Sequence, residues 1–389
     1  MLIGIIVFIG LVFLIFIHEA GHFFAAKAFK MKVDEFGFGF PPRIMAWRPG
    51  GKKSKTFLEA SSTQIEIETD RSETILQASS FTEVTEDKQG ETEYSLNWLP
   101  FGGFVKIAGE NDRVLGDLSA LNALPEEEKK KYFCFQSAWN RSAVILAGVL
   151  MNFLIGWVLI SAVFMIGTPS KLFIADVQAD SPALLAGIRA GDEVQGFTEA
   201  DDFIAFTDAH RGDEVSVTVL RENKTLVFTL VPRKETKENE GAMGVLLSQT
   251  GIPKEAPVTA IISGLKTSGA FARITVVAFY DLAKNLLLHG TILEGVVGPV
   301  GIFGVAQQAG SAGLLSLVQL LALISINLAV LNLIPFPALD GGRFLMILVE
   351  KIKGSPLPKT FEAYANGIGF LFLIILMVVI TARDILRLL

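Results

Sequence analysis

The chain has 389 residues, a mean hydropathy of +0.48 and a formal net charge of −6, with 51% apolar and 19% charged residues. This composition excludes an intrinsically disordered chain, which needs low hydrophobicity and a high net charge. It also excludes a nucleic-acid-binding protein, which shows a basic footprint, and a disulfide-stapled scaffold, because Cys134 is the only cysteine. The apolar residues are clustered in long runs, which indicates a membrane protein.

Four apolar stretches predict transmembrane helices, because a bilayer core of roughly 30 Å needs about 20 helical residues to cross it. The corresponding segments are 1–28, 141–167, 311–342 and 365–389. The first stretch has no basic n-region, runs beyond the usual length of a signal peptide and lacks a small-residue cleavage site. It is therefore interpreted as a retained span and not as a signal peptide.

Lysine and arginine concentrate in the segments 29–140 and 343–364, which places both on the cytoplasmic side of the membrane. The long segment between the second and third spans then lies outside. Its first part, 168–250, contains the alternating runs "VSVTVL" and "TLVFTLV", and it predicts a compact α+β domain. Pro182 suits the first turn of a short helix in this domain, and Gly187 suits its end.

The second part of that segment, 251–310, predicts a juxtamembrane region. Apolar residues at helical spacing over about 264–288 indicate an amphipathic helix that lies at the membrane interface. A surface helix packed on the α+β domain is the alternative.

The motif "HEAGH" at positions 18–22 lies inside the first apolar stretch. On a helix His18 and His22 face the same way and can reach one zinc ion, while Glu19 can reach a water bound to it. Ionisable side chains are costly in a membrane helix and usually face a cavity or a metal. The alternative is that the two histidines and the glutamate satisfy one another without a metal.

Asp340, in "NLIPFPALDGG", is the candidate for the third protein ligand of a catalytic zinc. One helix returns between the first and third spans, so the cytoplasmic ends of these two spans lie at the same depth. Pro335 and Pro337 break the helix, and two glycines allow a tight turn after the aspartate. The alternative is a kinked helix end followed by an ordinary turn.

Two asparagines in the predicted spans are further candidates for polar contacts. Asn332, close to the predicted kink, is a candidate for holding a substrate carbonyl or an oxyanion, with helix capping as the alternative. Asn152 lies in the second span, four residues after Gly148. It is interpreted as a residue that hydrogen-bonds between helices, in preference to a catalytic group.

Taken together, "HEAGH", "NLIPFPALDGG" and "WLPFGGFVKIAGE" resemble the site-2 protease family of intramembrane zinc metalloproteases. The runs "GFGF" and "GPVGIFGVA" are similar to that family too. The run "SPALLAGIRAGDEV" resembles the PDZ domain inserted between the second and third helices of bacterial members of the regulator of sigma-E protease type. The predicted fold is thus a multi-pass α-helical membrane protein with four transmembrane helices, a membrane-associated β-hairpin and an inserted extracytoplasmic α+β PDZ domain.

The resemblance implies zinc on His18, His22 and Asp340, with Glu19 as the catalytic acid and base. It implies cleavage of transmembrane segments of single-span membrane proteins, such as anti-sigma factors, in the bacterial cytoplasmic membrane. The resemblance further implies that substrate in extended form pairs with an edge strand of the hairpin around 95–108, which carries Phe101, Gly102 and Gly103. By the same resemblance, the PDZ domain is expected to contact a substrate ectodomain or peptide terminus, or to act as a size gate.

The chain departs from the family pattern in three places. Only one PDZ-like run is found, whereas members in Gram-negative envelope-stress signalling typically have two in tandem. The segment 50–95 is longer than expected before the hairpin, and Val149 stands where a proline often precedes the asparagine of the second helix. A PDZ membrane adaptor or zinc-binding receptor is the competing interpretation, but it has no need of Glu19. A zinc transporter would need polar residues along several helices, and the second and fourth spans offer almost none.

Overall fold

The computed structural model describes residues 2–49, 92–110, 124–221, 224–236, 241–290, 297–298 and 300–388. The chain divides into two compact units, one made of Met1–Leu159 and Thr267–Leu389 and the other of Ile160–Lys266. Most of the long segment 50–95 lies outside the described residues, so its role stays open.

Helices dominate the first unit, as its apolar runs predict. In chain order the helices are α1 (Leu2–Ala28), α2 (Glu126–Lys129), α3 (Ala138–Ile166), α4 (Pro182–Ala186), α5 (Ala200–Ala209), α6 (Pro257–His289), α7 (Gly301–Ser311), α8 (Leu314–Leu333), α9 (Asp340–Lys353) and α10 (Lys359–Leu388), with a 3₁₀ turn at Phe133–Phe135. Helices α4 and α5 belong to the second unit, and α3 and α6 run through both.

Five of the described helices are long and apolar enough to cross a membrane. Four of them, α1, α3, α8 and α10, coincide with the predicted spans. The fifth is α6, with the candidate span Pro257–Leu286. This helix begins before the segment 264–288 predicted to lie at the interface, and its apolar content makes it a further candidate span.

The predicted segment 311–342 divides at its two prolines, as their helix-breaking character predicts. Helix α8 ends at Leu333 and does not continue to 342, because Pro335 and Pro337 cannot extend it. The predicted loop 343–364 contains most of α9, which buries Ile347 against the rest of the unit.

An ion pair fastens α9 to the start of α3. Arg141 donates to Glu350 at 2.9 Å, and both side chains are largely buried. The Glu350 carboxylate also accepts from the backbone N–H of Leu357, which follows the end of α9. Because a buried charge is stable only with a partner, this pair specifies how α9 docks on α3.

Helices α1 and α8 run in the same direction. Near the start of both helices Val7 packs in one cluster with Leu317, and one turn further Gly10 approaches the Leu321 side chain. At the other end His18 lies beside Asp340, which follows α8 by a few residues. Three successive contacts in the same order make the two helices parallel neighbours.

The hairpin is built from two distant strands, β1 (Val33–Trp47) and β2 (Glu93–Ile107). The predicted hairpin around 95–108 therefore covers only one strand, and its partner is the run that contains "GFGF". Both strands bend, so Phe36 lies opposite both Val105 and Tyr94. The first half of β1 is flanked on both sides by β2, and the second half pairs again with the first half of β2.

The second unit is a five-stranded antiparallel sheet with the short helices α4 and α5. Its strands are β3 (Thr168–Val177), β4 (Glu193–Val194), β5 (Val215–Arg221), β6 (Lys224–Leu230) and β7 (Val245–Ile252), in the order β6-β5-β4-β3-β7. The strand predictions for "VSVTVL" and "TLVFTLV" are confirmed. Helix α4 is also confirmed, because Ser181 caps it, Pro182 opens it, and Gly187 ends it at a φ of 95°.

A buried ion pair stabilises the second unit. Asp192 is almost fully buried and accepts two bonds from the Arg221 guanidinium, at 2.6 and 2.7 Å, and one from the backbone N–H of Arg189. Burial alone raises the pKa of the Asp192 carboxyl, but these bonds to its charged form outweigh burial and leave the pKa below its ordinary value.

Candidate metal centre and active site

Helix α1 presents two imidazoles to one point. The spacing of four residues brings the His18 and His22 rings onto one helix face, and their Nε2 atoms lie 3.2 Å apart. Both side chains are largely buried. At this distance one ring nitrogen can donate to the other, or both can bind a shared partner.

Asp340 enters from the break that follows α8. Its Oδ2 atom lies 3.0 Å from His18 Nε2 and 3.4 Å from His22 Nε2. The aspartate is the first residue of α9, so the break turns the chain and aims the carboxylate at α1. The structure brings together the three residues that the sequence proposes as ligands.

The two glycines after the aspartate serve a different purpose from the predicted tight turn. Gly341 and Gly342 are helical, and a Cβ on either would lie 2.2 Å from the carbonyl oxygen of Ile334 or Phe336. The first turn of α9 therefore packs directly on carbonyls of the broken segment. Side chains at these positions would push Asp340 away from the histidines.

The three ligand atoms fit a tetrahedral zinc ion. Bonds of about 2.0–2.1 Å at tetrahedral angles put neighbouring ligand atoms roughly 3.3 Å apart. The observed separations are 3.0, 3.2 and 3.4 Å. Two imidazoles and one carboxylate leave a fourth position free, which is typical of a catalytic zinc site and not of a structural one.

Glu19 shares a cavity with this cluster. A cavity of about 150 Å³ is lined by Glu19, His22 and Asp340, and by residues of β2, α3 and α9. A volume of this size holds several water molecules. The arrangement places the Glu19 carboxylate, two of the three candidate ligands and room for water in one cavity.

Sequence reasoning missed two charged residues of this cavity. Arg343 and Glu110 both line it and form an ion pair with an N–O distance of 2.7 Å. Arg343 comes directly after "LDGG" and Glu110 directly after "KIAG", so closeness to the motifs was the available signal. The same pair also lines a smaller adjoining cavity of about 70 Å³.

Helix α3 closes the site from the other side of the rings. The backbone carbonyl of Val144 lies 2.9 Å from His22 Nδ1, and the Asn152 amide lies 3.4 Å from His18 Nδ1. The interpretation of Asn152 as an interhelical hydrogen-bonding residue is therefore incomplete, because its side chain lies beside His18, a candidate metal ligand.

The residues predicted to bind substrate fall in two places. Asn332 lies in the last turn of α8 and is half-buried. Phe101, Gly102 and Gly103 lie in β2, where Gly103 pairs with Phe38. A Cβ on Gly103 would lie 3.6 Å from Glu19 Cγ, so this part of β2 passes beside the glutamate. The Phe101 side chain lies outside the described part of the structure.

Comparison with known proteins places this site in a family. The model described as peptidase family M50 matches residues 6–85 and 71–376. A protein of Clostridium acetobutylicum with the provisional name of a zinc metalloprotease is 29% identical over 378 residues, which cover 96% of this chain and 94% of the relative.

Two Bacillus proteins match over similar lengths. The regulator of sigma-W protease RasP of Bacillus subtilis is 26% identical over 451 residues, which cover 96% of each chain. The zinc metalloprotease RasP of Bacillus licheniformis is 26% identical over 453 residues with the same coverage. The chain therefore belongs to peptidase family M50, and it is a site-2-type zinc metalloendopeptidase of the membrane.

Proposed function

We propose that the chain is an intramembrane endopeptidase, in which His18, His22 and Asp340 hold the zinc and Glu19 moves the proton. The observation that carries this proposal is the convergence of the Asp340 carboxylate on His18 and His22 of the apolar span Ile3–Ala28, with Glu19 lining a cavity beside His22 and Asp340. A hydrolytic site at membrane depth acts on peptide bonds that are also at membrane depth.

When bound, the zinc supplies a Lewis acid that polarises the scissile carbonyl and makes water nucleophilic near neutral pH. The Glu19 carboxylate accepts the proton of the attacking water as the new C–O bond forms. It then donates that proton to the amide nitrogen as the C–N bond breaks, which gives a carboxylic acid and an amine. The acid then loses its remaining proton to the amine or to solvent. Burial of His18, His22 and Asp340 fixes the geometry in which this transfer takes place.

The substrate binds as an added strand beside β2. The segment 103–107 pairs with β1 on one side, and among the described strands no other pairs with its far side. Val105 and Ile107 of this segment line the cavity that contains Glu19. A helix hides its peptide bonds, so unwinding onto this edge exposes a bond of a single-span substrate to the metal. Asn332 and residues 101–103 are the proposed substrate contacts.

The hairpin lies against or in the membrane. Its bends expose large apolar and aromatic side chains, namely Phe40, Ile44, Met45, Trp47, Trp98 and Leu99. Exposed tryptophans together with aliphatic residues are typical of a surface at the lipid headgroup level. The lipid bilayer is thus a partner of the hairpin as well as of the spans.

Four helices cross the membrane, and α6 makes no net crossing. Parallel α1 and α8 require an odd number of crossings between them, and α3 supplies one. Helix α7, at 11 residues, is only about 16 Å long and cannot return a crossing made by α6. Thr275 in the middle of α6 donates to Asn327 of α8, so α6 packs against the bundle.

The proposed orientation of the protein in the membrane follows from the distribution of its basic residues. Lysine and arginine after α1 and between α8 and α10 support an orientation with the active-site end toward the cytoplasm of a bacterial cell. The second unit is then an extracytoplasmic PDZ domain. It restricts access of bulky substrate ectodomains or holds a peptide terminus.

A cleavage assay in membranes tests the proposal. Single-span proteins, with and without their ectodomains, are incubated with wild type, with Glu19→Gln and with the matched control Glu127→Gln at an exposed carboxylate. We expect Glu19→Gln to lose at least about 100-fold in cleavage with full zinc content, because only proton transfer is removed. Cleavage by Glu19→Gln at the wild-type rate would overturn the proposal. A PDZ adaptor or zinc-binding receptor would cleave nothing in any of the three forms.

A further inference from the structure

One face of α3 is shaped around the two imidazoles. Val144, Gly148 and Asn152 follow each other at intervals of four and form one stripe along the helix. On α1, His18 and His22 have the same interval. The two stripes face each other, so each histidine ring meets its own residue of α3.

At His22 the contact is already a complete hydrogen bond. The His22 Nδ1–H donates to the backbone carbonyl of Val144 at 2.9 Å. A backbone carbonyl is only an acceptor, so this bond fixes the tautomer that leaves the Nε2 lone pair free for a metal.

At His18 the corresponding neighbour is a side chain. Asn152 is 1% exposed, and the amide nitrogen Nδ2 lies 3.4 Å from His18 Nδ1. The other amide atom, Oδ1, is buried and has no hydrogen-bond partner in the described part of the chain. An imidazole that binds a metal through Nε2 carries its hydrogen on Nδ1 and needs an acceptor there, not a donor.

We propose that Asn152 is the positioning residue of the His18 ligand. A half-turn of the amide about its last bond puts Oδ1 against His18 Nδ1–H, which holds the ring and its tautomer as Val144 does for His22. The Asn152 backbone is anchored separately, because its carbonyl accepts from Ser325 Oγ of α8 at 2.7 Å. The inference rests on the proposed zinc site but concerns metal affinity, which Glu19 does not control.

Three variants of the purified, full-length protein test this role. Asn152→Leu removes the acceptor at similar volume, Asn152→Asp keeps an acceptor oxygen, and Ser325→Ala breaks the neighbouring interhelical bond without touching a ligand. Zinc affinity is measured by competition with a chelator. We expect a 10- to 100-fold loss for Asn152→Leu and affinities near wild type for the other two.

A second readout follows the proton itself. With Co²⁺ in place of zinc, the Nδ1–H protons of the two ligand histidines give shifted, exchangeable NMR signals. Asn152→Leu is expected to speed solvent exchange of the His18 signal and leave the His22 signal unchanged, since Val144 is untouched. Asn152→Ala, which only removes atoms, replaces the leucine variant should that variant not fold.

The outcomes separate the two proposals. Wild-type zinc affinity and an unchanged His18 signal in both the leucine and alanine variants would overturn the role of Asn152 and leave the proteolytic function standing. An equal loss of zinc in Ser325→Ala would also overturn it, because the effect would then come from helix packing. Cleavage by Glu19→Gln would overturn the proposed function without bearing on Asn152.

Discussion

Gly148→Ala is the substitution that tests most directly how tightly the metal site is packed. An alanine Cβ at this position would lie 2.5 Å from His22 Nε2, 2.6 Å from His22 Cε1 and 2.8 Å from His18 Cε1. Carbon atoms in contact normally lie about 3.5–4.0 Å apart. Both rings, or the whole of α3, must therefore retreat by roughly 1 Å, and the ligand atoms lose their common point.

We expect Gly148→Ala to lower cleavage by at least about 100-fold, because displacements of 1 Å have that cost in catalytic sites. Zinc content, measured on the purified protein, should fall as well. Overpacking should also cost about 1–3 kcal/mol in stability.

Gly156→Ala is the matched control for this experiment. It overpacks the same helix, with a Cβ 2.5 Å from Ile326 Cγ1, but it touches no ligand. It should lose similar stability, measured by thermal unfolding in detergent, and keep its zinc. Undiminished zinc and cleavage in Gly148→Ala, or an equal loss of zinc in Gly156→Ala, would refute the reasoning.

Three further substitutions have distinct expected results. Asp340→Asn should lower zinc content by elemental analysis while the protein stays folded, and unchanged zinc would remove Asp340 from the ligand set. Gly103→Val, whose Cβ would meet the Gly37 carbonyl at 2.9 Å, should reduce cleavage by distorting the substrate edge, with zinc content as the unchanged control. Asp192→Asn should destabilise the second unit by about 2 kcal/mol at neutral pH, because it weakens the charged hydrogen bonds. Since the folded-state pKa of Asp192 is lowered, this difference should vanish as the pH falls below about 4 and through that folded value. Hydrogen exchange of β3 amides in the full chain measures this difference in stability. A difference that persists in acid would contradict its attribution to the charged hydrogen bonds of Asp192.

Local patterns in the sequence predict the long apolar helices well, and they single out the three residues that the structure brings together. The apolar runs give α1, α3, α8 and α10, because membrane spans depend on length and hydropathy alone. The helical repeat places His18 and His22 on one face, and the prolines after Leu333 predict the break that carries Asp340. The glycines after that aspartate show the limit of such reasoning. Their proximity to the carbonyls of Ile334 and Phe336 depends on how α9 folds back, which no local pattern encodes.

Pairings between distant segments could not be predicted in this way. The partner of β2 is β1, more than forty residues earlier, and neither run indicates that both strands bend and pair twice. Asn152 was interpreted only as an interhelical hydrogen-bonding residue because its neighbour on α1 is also distant in sequence. The function of the α3 stripe can be inferred only when α1 lies against it. A carbonyl, a glycine and an amide at intervals of four indicate no site on an isolated helix. The proposed zinc site thus depends on two helices whose periodic patterns match, because α1 carries the two histidines and α3 carries the groups beside their Nδ1 atoms.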